Sequence, residues 1–345
     1  MNKLQKFWRL LTIAAIMASA LNLGLMPANI AQAAHFNVAS FTGTNYAQDF
    51  NTLATTGPAA WANDSTLSGW YLVTDLTPSV TTYQVSNGSS TTGGFHGFGT
   101  ASASDRALGG VPSNAYWGAS GTGKGYIGLT LQNTTGLNIS DLAVSYTGEQ
   151  WRNGGNTTAH SLVFEYKISA TAPADASAFN TSSTGWTAVT SLNFTGPIAT
   201  ATAGALDGNL PANQASLSAN ITGLNILSNE YVLLRWMDLN DSGNDHGLAV
   251  DDLNIVATTF TPLPSLSIND VSVTEGDAGT TSASFTVTLS EAAPAGGVSF
   301  DIATSDGTAT IADNDYDANS ATGATIAEGA TTYSFDVTVN GDTDI

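Results

Sequence analysis

The chain contains no cysteine, which excludes a disulfide framework, thiolate metal sites and cysteine nucleophiles together. Basic residues are nearly as scarce: 8 Lys and Arg stand against 28 Asp and Glu in 345 residues, for a formal net charge of −20. Such a surface offers a nucleic-acid backbone no electrostatic partner, so nucleic-acid binding is not expected. No apolar run after Met26 is long enough to span a bilayer, and no long amphipathic helical pattern occurs beyond it. Basic residues are also unevenly placed. None follows Arg235, whereas thirteen Asp or Glu lie between Asp270 and Asp344. A segment of that kind repels itself unless it takes up cations, and divalent ions held by oxygen ligands serve best.

Three of the eight basic residues, Lys3, Lys6 and Arg9, precede an apolar run from Leu10 to Met26, then Pro27 and the small-residue sequence Ala31-Gln32-Ala33. This is the layout of a secretory signal peptide over residues 1–33, which leads to a secreted or cell-surface expectation. An uncleaved membrane anchor is the other reading of the same segment.

Beyond residue 33 the chain is rich in Gly, Thr, Ser and Asn, and its apolar residues alternate. Ile127 to Leu131, Leu142-Val144-Tyr146, Leu162-Phe164-Tyr166-Ile168, Phe285-Val287-Leu289, Val298-Phe300-Ile302 and Tyr333-Phe335-Val337-Val339 all show the period of two of half-buried strands. Turn clusters such as Asn87-Gly88, Asn153-Gly154-Gly155 and Asp306-Gly307 separate them. The expected fold class is all-β. Pro262 and Pro264 mark a stiff connector over residues 259–264, between one large sandwich at 34–258 and a second unit at 265–345. An immunoglobulin-like sandwich takes about 100 residues, so the second is expected to be incomplete and the chain a fragment of a longer product.

In that second unit, Ile268-Asn269-Asp270-Val271-Ser272-Val273-Thr274-Glu275-Gly276-Asp277, Ala283 to Ser290, Ser305-Asp306-Gly307-Thr308-Ala309 with Asp315-Tyr316, and Gly341-Asp342-Thr343-Asp344 succeed one another in order. This series resembles the Calx-beta domain over residues 265–345. The resemblance implies an immunoglobulin-like sandwich with calcium bound at one end, and Glu275, Asp306 and Asp342 as ligands. The residues themselves allow two readings, calcium ligands or solvated loop charges. Asp313, Asp315 and Asp317 add a D-x-D-x-D run that could form a second site.

The first unit opens with Gln48-Asp49-Phe50-Asn51 and closes with Ala249-Val250-Asp251-Asp252-Leu253. These ends resemble concanavalin-like jelly rolls, MAM modules among them. The resemblance implies that first and last strands lie side by side, with Asp49 near Asp251 or Asp252, where a shared cation could clamp the termini. The run Asp238-Leu239-Asn240-Asp241-Ser242-Gly243-Asn244-Asp245 fails the EF-hand pattern because Ala249 stands where the twelfth-position Glu belongs. It is either a calcium loop of another geometry or an Asp/Asn turn. Gly118 to Gly125 mimics a P-loop but lacks the final Ser or Thr, and reads as a glycine-rich loop. His35, His96, His160 and His246 stand singly, and no catalytic motif surrounds them. Trp151, Arg152 and Asn153 beside Gly154-Gly155 are candidate glycan contacts, with core packing the alternative for the ring. The chain therefore reads as a secreted, non-catalytic, calcium-binding protein of adhesion or of matrix or glycan contact, its partner a glycan or cell-surface protein. The alternative is the non-catalytic N-terminal part of a secreted nuclease- or phosphatase-type hydrolase.

Overall fold

The computed structural model describes residues 39–341 apart from 42, 78, 79, 102 and 181–183. Residues 1–33, where a signal peptide is expected, His35 and Asp342 lie outside the described residues. Strand accounts for 47% of the chain and helix for 2%, so the fold is all-β. No helix among the described residues is long and apolar enough to cross a membrane. The chain divides into two compact units that part between Pro262 and Leu263.

The first unit holds β1 (Ala39–Ser40), β2 (Asn45–Gln48), β3 (Ala59–Ala60), β4 (Trp70–Thr74), β5 (Thr82–Ser86), β6 (Gly94–Phe98), β7 (Ala107–Val111) and β8 (Lys124–Gln132). It continues with β9 (Asn138–Asn153), β10 (Ser161–Ser169), β11 (Thr187–Ala188), β12 (Phe194–Thr195), β13 (Gly204–Ala205), β14 (Gln214–Ile221), β15 (Tyr231–Leu239) and β16 (Gly247–Phe260). One sheet runs β1-β8-β15-β10-β11, with β4 also on β8 and β12 on β10. The other runs β13-β9-β16-β7-β6-β5-β3, with β14 also on β9 and β2 on β16.

Alternation along these strands supplies the core between the sheets. Leu72, Ile127, Leu129, Val144, Tyr146, Phe164, Trp236, Val250 and Ile255 are all buried in one cluster. At its centre Trp70 stacks on Trp236 with ring centroids 5.8 Å apart, and Phe50 meets Trp70 edge-on at 4.8 Å. Such ring pairs contribute about 0.5–1.5 kcal/mol each beyond their burial. The strand over 127–131 departs from the half-buried pattern, because β8 is covered on both faces. Phe179 and Trp186 lie over it with Tyr71, Tyr126 and Leu233 in a second cluster. Gly128 makes room for them, since a Cβ there would sit 2.5 Å from the Phe179 ring. Arg235 is buried under the same cover, in an ion pair with Glu165 at 2.6 Å and 4.1 Å from the Trp186 ring centre.

The strand β16 runs through Phe260, so the first two residues assigned to the connector belong to the sandwich. The pairing of β2 with β16 places Gln48 opposite Leu253, which sets the first strands beside the last as the jelly-roll resemblance implies. The second unit holds β17 (Leu266–Ile268), β18 (Gly279–Leu289), β19 (Val298–Ala303), β20 (Ser320–Ile326) and β21 (Thr332–Gly341). They form a sheet β17-β18-β21 and a pair β19-β20, around Phe285, Val287, Leu289, Ile302, Ile326 and Phe335.

Candidate functional site

Core residues of β16 are Val250 and then Leu253, so one extra residue is inserted between them. The register against β9 shifts between Asp251 and Asn254, and Asp252 adopts φ 48. Asp251 follows core-facing Val250 and so projects from the opposite face of the sheet, where it is 3% exposed, while the bulge leaves the Asp252 side chain at the surface. On β9, Gly148 faces Phe194 in the core, so Glu149 and Trp151 project from the opposite face of the sheet. There Glu149, also 3% exposed, accepts a hydrogen bond from Trp151 Nε1 at 2.7 Å. The segment around Leu206 and Gly208 covers them, with Leu206 N donating to Trp151 O.

Carboxylates from five segments feel one another's charge here, although no three of them bring ligand atoms within 4.8 Å of one another. Asp49 follows β2, Asp105 precedes β7, Glu149 is on β9, Asp207 lies in the cover, and Asp251 and Asp252 form the bulge. Burial pushes the Glu149 carboxyl up to about 7, and the charges of Asp105, Asp252 and Asp207 push in the same direction. Burial likewise raises Asp251 to about 9, with Glu149, Asp252 and Asp105 adding to it. Asp252 is raised by burial and by the charges of Asp105 and Asp49. Asp251 Oδ1 accepts from Asp252 N, and Asn209 Nδ2 donates to Asp105 at 2.6 Å. The expected neighbourhood of Asp49 and Asp252 is therefore present. Glu149, Asp105 and Asp207 were missed, although Glu149 sits two residues from Trp151 and so on the same strand face.

The glycan-contact expectation is corrected. Trp151 is 1% exposed and stacks on Phe98 at 5.9 Å, which leaves no ring face for a sugar. Asn153 is buried, its amide donating to Thr200 O and Thr202 O. Arg152 is half-buried and donates to Gly88 O at 3.2 Å. The ring serves as packing because Gly208 brings the covering segment directly onto it; a Cβ there would fall 2.3 Å from Trp151 Nε1.

In the second unit, Glu275 and Asp315 line one cavity together with Tyr316, whose hydroxyl donates to Asp306 Oδ1 at 2.7 Å. Three of the residues carried by the Calx-beta resemblance and its neighbouring acidic run thus gather at one place. Part of their capacity is taken up by the loop itself: Ile311 N donates to Asp306, Thr310 N to Asp315 and Thr310 Oγ1 to Asp313. Asp317 is separately engaged by Asn340 Nδ2.

A further grouping forms where β10 pairs with β15, with Leu162 opposite Asp238. His160 Nδ1 lies 3.4 Å from Asp241 Oδ2 and 3.7 Å from Asp245 Oδ1. The three ligand atoms fall within 4.8 Å of one another. Burial raises Asp245 to about 7 and holds Asp238 well above the usual carboxylate range, with the charges of Asp245 and Asp241 adding to the latter. His160 and His246, distant in sequence, stand with ring centroids 4.4 Å apart. His96 is buried elsewhere and stacks on Phe98. The glycine-rich loop packs here too: Gly121 N donates to Asn240 O, and Asn240 Nδ2 to Gly118 O at 2.6 Å.

No protein-family model matches the chain, and no curated protein matches it.

Proposed function

We propose that this is a secreted or cell-surface, non-catalytic, calcium-binding module that acts in adhesion or in matrix or glycan contact. One observation carries the reading: Glu149 and Asp251, each 3% exposed, are buried within electrostatic reach of each other and of Asp105 and Asp252, with Asp207 also near Glu149 and Asp49 near Asp252. Two buried carboxylates cannot both ionise beside further like charges without a counter-ion. Calcium, which takes six to eight oxygens and adapts to irregular geometry, suits carboxylates drawn from several segments. Held there, it would clamp β2 to the bulge of β16. A second calcium in the Calx-beta-like unit would draw on Glu275, Asp306 and Asp315, with Asp342 as the resemblance implies. The wholly acidic composition beyond Arg235 supports this second site.

The test is a thermal melt of the chain after EDTA treatment, with calcium and then magnesium restored. An ion bound only by the native state at 100 times its dissociation constant adds about 2.7 kcal/mol, a shift of a few degrees at this domain size. A calcium-specific rise that Asp251→Asn abolishes supports the clamp. Equal melts with EDTA and with millimolar calcium overturn it and leave protons as the neutralising species.

A further inference from the structure

We infer that His160, Asp241 and Asp245 form a binding site for a divalent d-block ion of the zinc type, separate from any calcium site. Two ligand atoms each ~2.1 Å from a tetrahedral zinc ion stand ~3.4 Å apart. The separations from His160 Nδ1, 3.4 Å to Asp241 and 3.7 Å to Asp245, are those of a pocket that such an ion fills. The donor set selects the metal. Calcium takes oxygen ligands, whereas imidazole suits zinc, cobalt, nickel and copper.

An independent observation points to a missing positive centre. Asp238 is 4% exposed, and its Oδ2 has no hydrogen-bond partner. It lies in the same neighbourhood as Asp241 and Asp245, and no Lys or Arg forms an ion pair with any of the three among the described residues. The backbone N–H of His246 approaches His160 Nδ1 at 3.3 Å, a long contact that an ion bound to that nitrogen's single lone pair would replace. On the other side of the ring Nε2 stands 3.1 Å from Asn156 Nδ2; that amide also donates to Ser242 O and accepts from Thr158 N at Oδ1, so it turns toward a protonated Nε2 only by giving up both bonds.

The surroundings sort ligands from supports. His246 is engaged at both nitrogens, accepting from Gly154 N at Nδ1 and meeting Thr158 O at Nε2, so it packs at a tilt against the ligand ring without joining it. Asp241 N donates to Asp245 Oδ1, and Ser120 Oγ to Asp241 O, which hold the loop in shape. The Asp241 side chain is 28% exposed and supplies the side from which an ion enters.

The experiment uses the tag-free full chain, stripped with a chelator and titrated with zinc by calorimetry and with cobalt by visible absorption at pH 7.5. One equivalent of zinc at micromolar or tighter affinity is expected, with d–d bands of low-coordinate cobalt. Millimolar calcium should not displace it, so failure of the calcium reading and failure of this one register separately. Asp241→Asn, at the partly exposed ligand, should weaken zinc at least tenfold while near-ultraviolet circular dichroism stays native. His160→Gln should abolish the cobalt bands. No binding of either metal by the folded chain overturns the inference, and so does binding that Asp241→Asn and Asp245→Asn both leave unchanged.

Discussion

The two units carry their acid in opposite ways. The second has no basic residue at all, yet every buried polar or charged residue among those described lies in the first, Asp251 being the last of them. Asp306, Asp313 and Asp317 remain in contact with water and cap backbone or side-chain donors around their own loops. Glu149, Asp238 and Asp251 are withdrawn from it. Charge density in a sequence therefore marks where repulsion is spread out, and burial marks where a carboxylate must be answered by a specific partner.

Removing one charge from each unit should break the comparison most visibly. Glu165→Ala leaves buried Arg235 without its 2.6 Å carboxylate, at a cost of about 3 kcal/mol. Asp301→Ala in the second unit removes an exposed carboxylate that accepts from Gly323 N, and should cost under about 1 kcal/mol. Denaturant melts compare the two, and equal losses would end the distinction.

Asp251→Asn should act in the unusual direction. With chelator present at pH 8 it removes a carboxyl that the folded chain must hold protonated and the unfolded chain ionises freely, and stability should rise by about 1–2 kcal/mol. With calcium present the same substitution should lower it. A loss in both conditions would assign Asp251 a plain hydrogen-bonding role.

The pH profile is set by the same groups. Folded Glu149 and Asp251 keep their protons to about 7 and about 9, whereas the unfolded chain releases them near 4. Unfolding thus releases protons over that window, and the stability of the chelated chain should fall as pH rises from about 4 to about 9. Calcium should flatten this slope by favouring the ionised forms. A melting temperature that climbs between pH 5 and pH 8 in chelator would refute the assignment.

The smallest effect is expected at Asp306→Asn, which keeps an acceptor for the Tyr316 hydroxyl and should cost about 0.5 kcal/mol in EDTA. If the calcium reading of the second unit holds, its melt should lose most of its calcium response.

The period-two strands were legible because side-chain direction alternates regardless of what covers the sheet. Each of the six alternating runs lies in a strand: β8, β9, β10, β18, β19 and β21. The double cover of β8 was not legible, since Phe179 and Trp186 reach it from a segment with no strand pattern of its own. The site residues divide similarly. Asp49 and Asp252 could be placed because strand pairing brings chain ends together, and Asp241 and Asp245 stood out as an acidic loop. His160 could not be joined to them, because its position beside that loop is set by the long-range register of β10 on β15. Trp151 misled for a related reason. Its flanking glycines read as an exposed loop, but Gly208, from a distant segment, lets the chain close over it.

The length of β16 has a mechanical consequence. Tension along the chain enters the first unit at Phe260, the end of a strand held by β9 on one flank and by β2 and β7 on the other. Many bonds share that load. The second unit receives the same tension at β17, three residues paired only with β18. Of the two strand ends that flank the connector, the Leu266 side should therefore give way before the Phe260 side.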